Sequence, residues 1–226
     1  MTTFARRRIR PRRSVIILIA STILAGLVAL VVLVSSVPKS FVAPNPAVRD
    51  VASERARIFE QRFISELTRI RGPEAEWGIR IRQDDLNAWL WVRLPQWMSH
   101  VGTPDALDLP PVQSTLGSER ILVTSPGWAF AFEPFVSAGG LSLEPRSGGS
   151  LGRLPLPGRL LRYLGDTFDF ELVLSSLGGL TPSGSALPCR FKLGDGRVVE
   201  ILETRPGDGE LVLLFRTEAP ETSAGS

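Results

Sequence analysis

The sequence predicts an α+β protein with an N-terminal transmembrane helix, a long amphipathic helix and an antiparallel β-sheet. Three features carry this reading. An uncharged apolar run fills 15–37, apolar residues recur every three or four positions over 47–71, and alternating segments with Gly/Pro turns dominate the rest.

The apolar run comes first. Arg6, Arg7, Arg8, Arg10, Arg12 and Arg13 lead directly into 23 residues without a charge, 15–37. At about 1.5 Å per residue such a helix covers the roughly 30 Å hydrocarbon core of a bilayer with some tilt. A secretory signal has a shorter apolar region, about 7–15 residues, so Val34-Ser35-Ser36 is a poor cleavage site and an uncleaved anchor is expected. Arginines on one side, against Lys39 and Arg49 on the other, put the N-terminus in the cytoplasm. The expected layout is a cytoplasmic basic tail over 1–14, a transmembrane helix over 15–37 and a Pro-containing stalk over 38–46. An extracytoplasmic α+β domain over 47–217 and a disordered tail over 218–226 complete it.

Dividing the charge removes a misleading signal. Residues 1–49 hold eight basic residues and no acidic one, whereas the remaining 177 hold 18 basic and 23 acidic. The exterior part therefore carries about −5 and offers no basic surface to a polyanion, so no nucleic acid partner is expected. The arginines instead report topology and attract anionic lipid.

Chemistry-bearing sets are sparse. Cys189 is the single cysteine, so it has no disulfide partner within the chain and reads as a small buried hydrophobe. His100 is the single histidine, and neither a zinc set nor a Ser-His-Asp triad assembles around it; an exposed loop position is expected. The pairs Asp84/Asp85 and Asp166/Asp169 read as capping and solvated carboxylates. Gly139-Gly140 and Gly148-Gly149 lack the lysine and following helix of a phosphate loop and read as turns. No cofactor, no metal and no enzymatic activity are expected.

After the stalk prolines Pro38, Pro44 and Pro46, Val48, Val51, Ile58, Phe59, Phe63, Leu67 and Ile70 form the apolar stripe of a helix over 47–71. Gly72-Pro73 ends it. The stripe is expected to lie on the domain's own sheet, because no strict heptad is sustained. Trp77, Ile79 and Ile81 alternate with polar or small residues as a half-buried strand. Asp84 is expected to cap a short helix through Val92. Trp89 and Trp91 on it are two residues apart and face nearly opposite sides, so one packs inward and the other meets a second surface. Further strands are expected over 120–124, 128–132, 136–144, 186–193, 198–205 and 210–217. Gly194-Asp195-Gly196 and Gly207-Asp208-Gly209 join the last three as a meander. The segment 152–157 is expected to lead into a short helix through Leu164, and 166–177 is ambiguous.

Four of the five tryptophans fall between 77 and 97. They serve either as ordinary core or as an aromatic rim beside an apolar groove or membrane interface. Trp89, Trp91, Trp97 and Phe132 are the candidate groove residues. Gln83-Asp84-Asp85-Leu86-Asn87-Ala88-Trp89-Leu90 resembles the polar-Leu-Asn-apolar-Leu element of YpmS-like membrane proteins, and Gly152-Arg153-Leu154-Pro155-Leu156-Pro157 resembles their Gly-x-Leu-Pro-Leu-Pro element. The resemblance covers most of the chain and implies a layout similar to tubular lipid-binding domains, with a long amphipathic helix packed on a curved antiparallel β-sheet around an apolar channel. It implies no reaction. The expected function is a membrane-anchored exterior domain at the cell envelope that binds a lipid or other apolar ligand. The alternative is a non-enzymatic scaffold or accessory subunit of an envelope complex. The bilayer is the expected partner, together with a lipid ligand or an envelope protein.

Overall fold

The computed structural model of the chain describes residues 13–100, 106–108, 110–137, 140–144, 148–159 and 189–218. The acidic pair Asp166/Asp169, the segment 166–177 and the tail from 219 lie outside the described residues.

Helix α1 runs Arg13–Ser35, and its side chains are described from residue 21 onward. Among the described residues no helix is long and apolar enough to cross a membrane; the stretch 21–35 alone covers about 22 Å. A short 3-10 turn, Pro46–Val48, is held by Asn45, whose Oδ1 accepts from the Ala47 N–H. It opens α2, Arg49–Thr68. That helix stops before Gly72-Pro73, because Arg69 already turns to extended backbone.

The rest is α+β with helices packed on antiparallel sheets. Among the described residues there are two sheets where one was expected. The first joins β1 (Glu76–Arg82), β8 (Arg190–Lys192), β9 (Val198–Gly207) and β10 (Glu210–Glu218) in the order β1-β10-β9-β8, so the C-terminal meander forms as its glycine turns predict. Gly196 and Gly209 supply the positive φ these turns need. Between β1 and the second sheet lie α3 (Gln83–Val92) and α4 (Leu94–His100).

The second sheet contains β2 (Gln113–Leu116), β3 (Ile121–Ser125), β4 (Trp128–Ser137), β6 (Gly149–Leu151) and β7 (Leu154–Leu156), with β5 (Gly140–Glu144) on the far part of β4. The expected strands at 128–132 and 136–144 become one long strand and its hairpin partner. Pro134 fits inside β4 because it pairs there with β5 after the β3 register has ended at Phe132. Gly152-Arg153 is the β6–β7 turn and 154–156 is a strand, while only 158–159 of the expected following helix are described. His100 closes α4 and does not lie in a loop; its Nδ1 is 2.9 Å from the Gln96 carbonyl one turn back.

Each sheet has its own core. Phe59 of α2 packs with Ile79, Ile81, Val199 and Phe215, joined by the half-buried Phe63, Leu67, Leu86 and Trp89. The long helix therefore lies on the domain's own sheet, as expected. Trp77 stacks on Phe215 at 4.6 Å, donates Nε1–H to Thr217 Oγ1 at 3.0 Å and carries the Arg71 guanidinium 3.7 Å above its ring. The second core is Phe130, Phe132 and Leu156, with Val123, Trp128 and Leu151 around it.

Candidate functional site

The segment 83–87 organises the region between the sheets. Gln83 and Asn87 are four apart and so share one helix face. Asn87 Nδ2–H donates to Ser114 O at 2.9 Å, while its Oδ1 accepts from the Ser114 N–H at 2.6 Å and Ser114 Oγ at 3.0 Å. Gln83 Oε1 accepts from the Leu116 N–H at 2.8 Å, and the Gln83 N–H donates to Gly209 O at 2.9 Å. Two side chains thus pair backbone groups of β2 and bind α3 to the second sheet.

The two aspartates face the other way, toward α2. Asp84 meets Arg55 at 3.3 Å and Asp85 meets Arg62 at 3.1 Å, with Arg93 and Glu60 adding a third link at 3.3 Å. The expected capping role of Asp84 is not realised. The helix begins two residues earlier, its N-cap Arg82 makes no side-chain cap bond, and Asp84 sits in the first turn. A carboxylate there still faces the positive end of the helix, which suits an acidic residue.

Alongside this seam lies an open groove of about 630 Å³, with Val51, Ile58 and Phe59 as its apolar part and Asp50, Glu54, Arg55, Arg62, Arg82 and Asp85 around them. A smaller groove of about 250 Å³ adjoins it at Val51 and Arg55 and reaches Val48, Asn87, Trp91 and Gln113. Val51 is 65 % exposed and Ile58 51 %. Phe59 is the next residue after Ile58, about 100° further round the helix, and is buried. The apolar stripe is therefore wider than the contact of α2 with the sheet: Phe59, Phe63 and Leu67 pack, whereas Val51 and Ile58 of α2, and Val48 and Ile70 just outside its ends, stay exposed. An Arg within hydrogen-bond reach holds the Glu54 carboxyl below the usual range through the bonds Arg57 donates.

Neither of these two grooves brings together the four residues expected to line one. Trp89 packs into the first core and against Leu94 and Met98. Trp91 lies on the Ala56–Ala88–Val92 cluster, which Trp89 also touches, and it lines the smaller groove. Trp97 is 50 % exposed on α4, and Phe132 is buried in the second core. Cys189 is partly buried, and desolvation, reinforced by the nearby Glu200 charge, pushes its thiol up, so it is a poor nucleophile. Among the described residues no cluster of three His, Cys, Asp or Glu is placed to hold a metal ion.

The groove residues were hidden in the sequence because Val51 and Ile58 read as core. The visible clue was the width of the stripe, since Val51 and Ile58 are seven apart and lie off the Phe59–Phe63–Leu67 line. The groove's polar groups are largely arginine–carboxylate pairs, and its apolar part is a strip of aliphatic side chains. Such an arrangement can seat an apolar group between two polar margins. Comparison with protein-family models, curated proteins and solved structures finds no match to this chain.

Proposed function

We propose that the chain is a single-pass membrane protein of the cell envelope whose exterior domain acts by binding a partner protein along α2, as a non-enzymatic scaffold or accessory subunit. The anchor is supported by the 23-residue charge-free run and by the exposure of apolar side chains on both sides of α1, with Leu24, Val28 and Val32 on one and Leu30 and Leu33 on the other. The arginine flank supports a cytoplasmic N-terminus. Membership of the YpmS-like family is part of the same proposal and rests on the motifs at 83–90 and 152–157.

The observation that carries the contact role is the exposed aliphatic strip of Val51 and Ile58 on α2 with Val48 in the turn before it, beside an ion-paired margin. Small-molecule sites bury about 70–90 % of a ligand, which favours enclosure, whereas a shallow strip suits a partner's surface element. The volume of the larger groove, about 630 Å³, supports a second reading, a lipid or other apolar ligand held there.

Native mass spectrometry of the full chain released from lipid nanodiscs after mild cross-linking in cells tests both. A discrete protein partner retained by the wild type and lost from Ile58→Asp supports the first reading. A lipid adduct lost from the same variant supports the second. A spectrum unaffected by Ile58→Asp overturns both.

A further inference from the structure

The end of α1 is not left free. The last carbonyls of any helix lack intrahelical donors and point onward along its axis. Here the β6–β7 turn meets them: the Arg153 N–H donates to Leu33 O at 2.8 Å and Arg153 Nε–H to Val37 O at 3.4 Å. Gly152 has φ +55°, and a Cβ there would run into the carbonyl oxygens of Leu33, Val34 and Ser36. The Gly152 N–H in turn donates to Gly127 O at 2.7 Å, tying in the β3–β4 turn. The stalk is held as well. Pro38 is buried, and the Gln113 side chain bonds both the N–H and the carbonyl of Val42. The turn at 152–153 therefore sits directly on the helix end, and the turn at 126–127 is bonded to it.

We infer that this end of the second sheet is the membrane-facing surface of the exterior domain, and that Arg153 contacts lipid phosphate there. The inference rests on α1 being a bilayer anchor. If the apolar run ends at Val37, the Leu33 to Val37 carbonyls lie at the outer edge of the hydrocarbon, and the turn seated on them lies among the headgroups. Arg153 is exposed at that level, where a guanidinium pairs with phosphate. Trp128 and Leu151 are register partners beside the turn, and Trp128 is half-buried, the placement of an interfacial aromatic. The opposite turn of the β2–β3 hairpin, at 117–120, is one β3 length away, about 15 Å.

The test uses the full chain in phosphatidylglycerol/phosphatidylethanolamine nanodiscs, with Cys189→Ala and single fluorophores at Gly127→Cys or Glu119→Cys. Gly127 has open space at its Cβ, and Glu119 is exposed. Lipids spin-labelled at the headgroup should quench the 127 label several-fold more than the 119 label. Solid-state NMR should show 31P dephasing of the Arg153 guanidinium carbon, with that signal absent in Arg153→Gln. Equal or reversed quenching in a protein that resists alkaline extraction overturns the orientation while leaving the anchor intact. Absence of 31P dephasing at Arg153 overturns the phosphate contact. Release of the chain by alkaline extraction overturns the anchor itself.

Discussion

Asn87 directs both ends of its amide at Ser114, which is buried, so truncation would leave the Ser114 N–H and hydroxyl without a partner. Asn87→Ala should cost about 1–3 kcal/mol in chemical denaturation followed by tryptophan fluorescence. Asp84→Ala removes one arm of an exposed ion pair and should change stability by less than about 0.5 kcal/mol. The contrast separates the latch from the ion-paired margin within a single turn of helix. Arg197 makes a comparable junction: its Nη groups donate to Arg69 O at 2.8 Å and Thr68 O at 2.9 Å, and Nε donates to Asp195 at 2.7 Å. A lysine cannot reach three acceptors with one fork, so Arg197→Lys should cost about 1–2 kcal/mol. The bonds from Arg197 also hold the Asp195 carboxyl below its usual range. A depressed folded-state value gives stability that is complete above the unfolded value, about 3.9, and is lost as pH falls through the folded one. Acid titration of the unfolding midpoint should therefore show a shallower decline below about pH 4 in Arg197→Lys than in the wild type, and equal declines would refute that linkage.

At the scale of elements, both long helices end on a Gly-Arg turn of a hairpin. Gly152-Arg153 of β6–β7 meets α1, and Gly196-Arg197 of β8–β9 meets α2. Each glycine has positive φ, and each arginine donates to carbonyls at the helix end. This arrangement was not legible in sequence, because a cap supplied by a residue more than a hundred positions away leaves no local pattern. The elements that were legible are those with a clear period: α2, β1 and the C-terminal meander. Those that escaped had none. In β2 the buried positions are Ser114 and Leu116, so alternation carries no apolar signal. Pro95 argues against a helix unless it stands in the first turn, where it does stand in α4. The strands β6 and β7 are three residues each, below the length at which a period can be seen. The 83–90 motif was visible as a unit. Its division into β2-binding amides and α2-binding carboxylates required the fold.

For the molecule as a whole, burial separates what holds the domain together from what it leaves exposed. Phe59→Ala should destabilise by about 3–5 kcal/mol, because the ring is packed into the first core. Ile58→Asp, one position away on the exposed strip, should leave the unfolding midpoint within about 0.5 kcal/mol of wild type while abolishing partner retention. Loss of stability in both would place the strip in the core and remove the contact surface. The tryptophan-rich stretch shows the same division: Trp77 and Trp89 support the fold, while Trp91 borders a groove and Trp97 is exposed. The proposed contact role requires an exterior domain fixed to a bilayer anchor, and one experiment reaches that directly. A membrane-impermeant maleimide applied to intact cells carrying Glu119→Cys in a Cys189→Ala background should label the chain fully, with the labelled protein resisting alkaline extraction. Labelling only after lysis, or release by alkali, would contradict it.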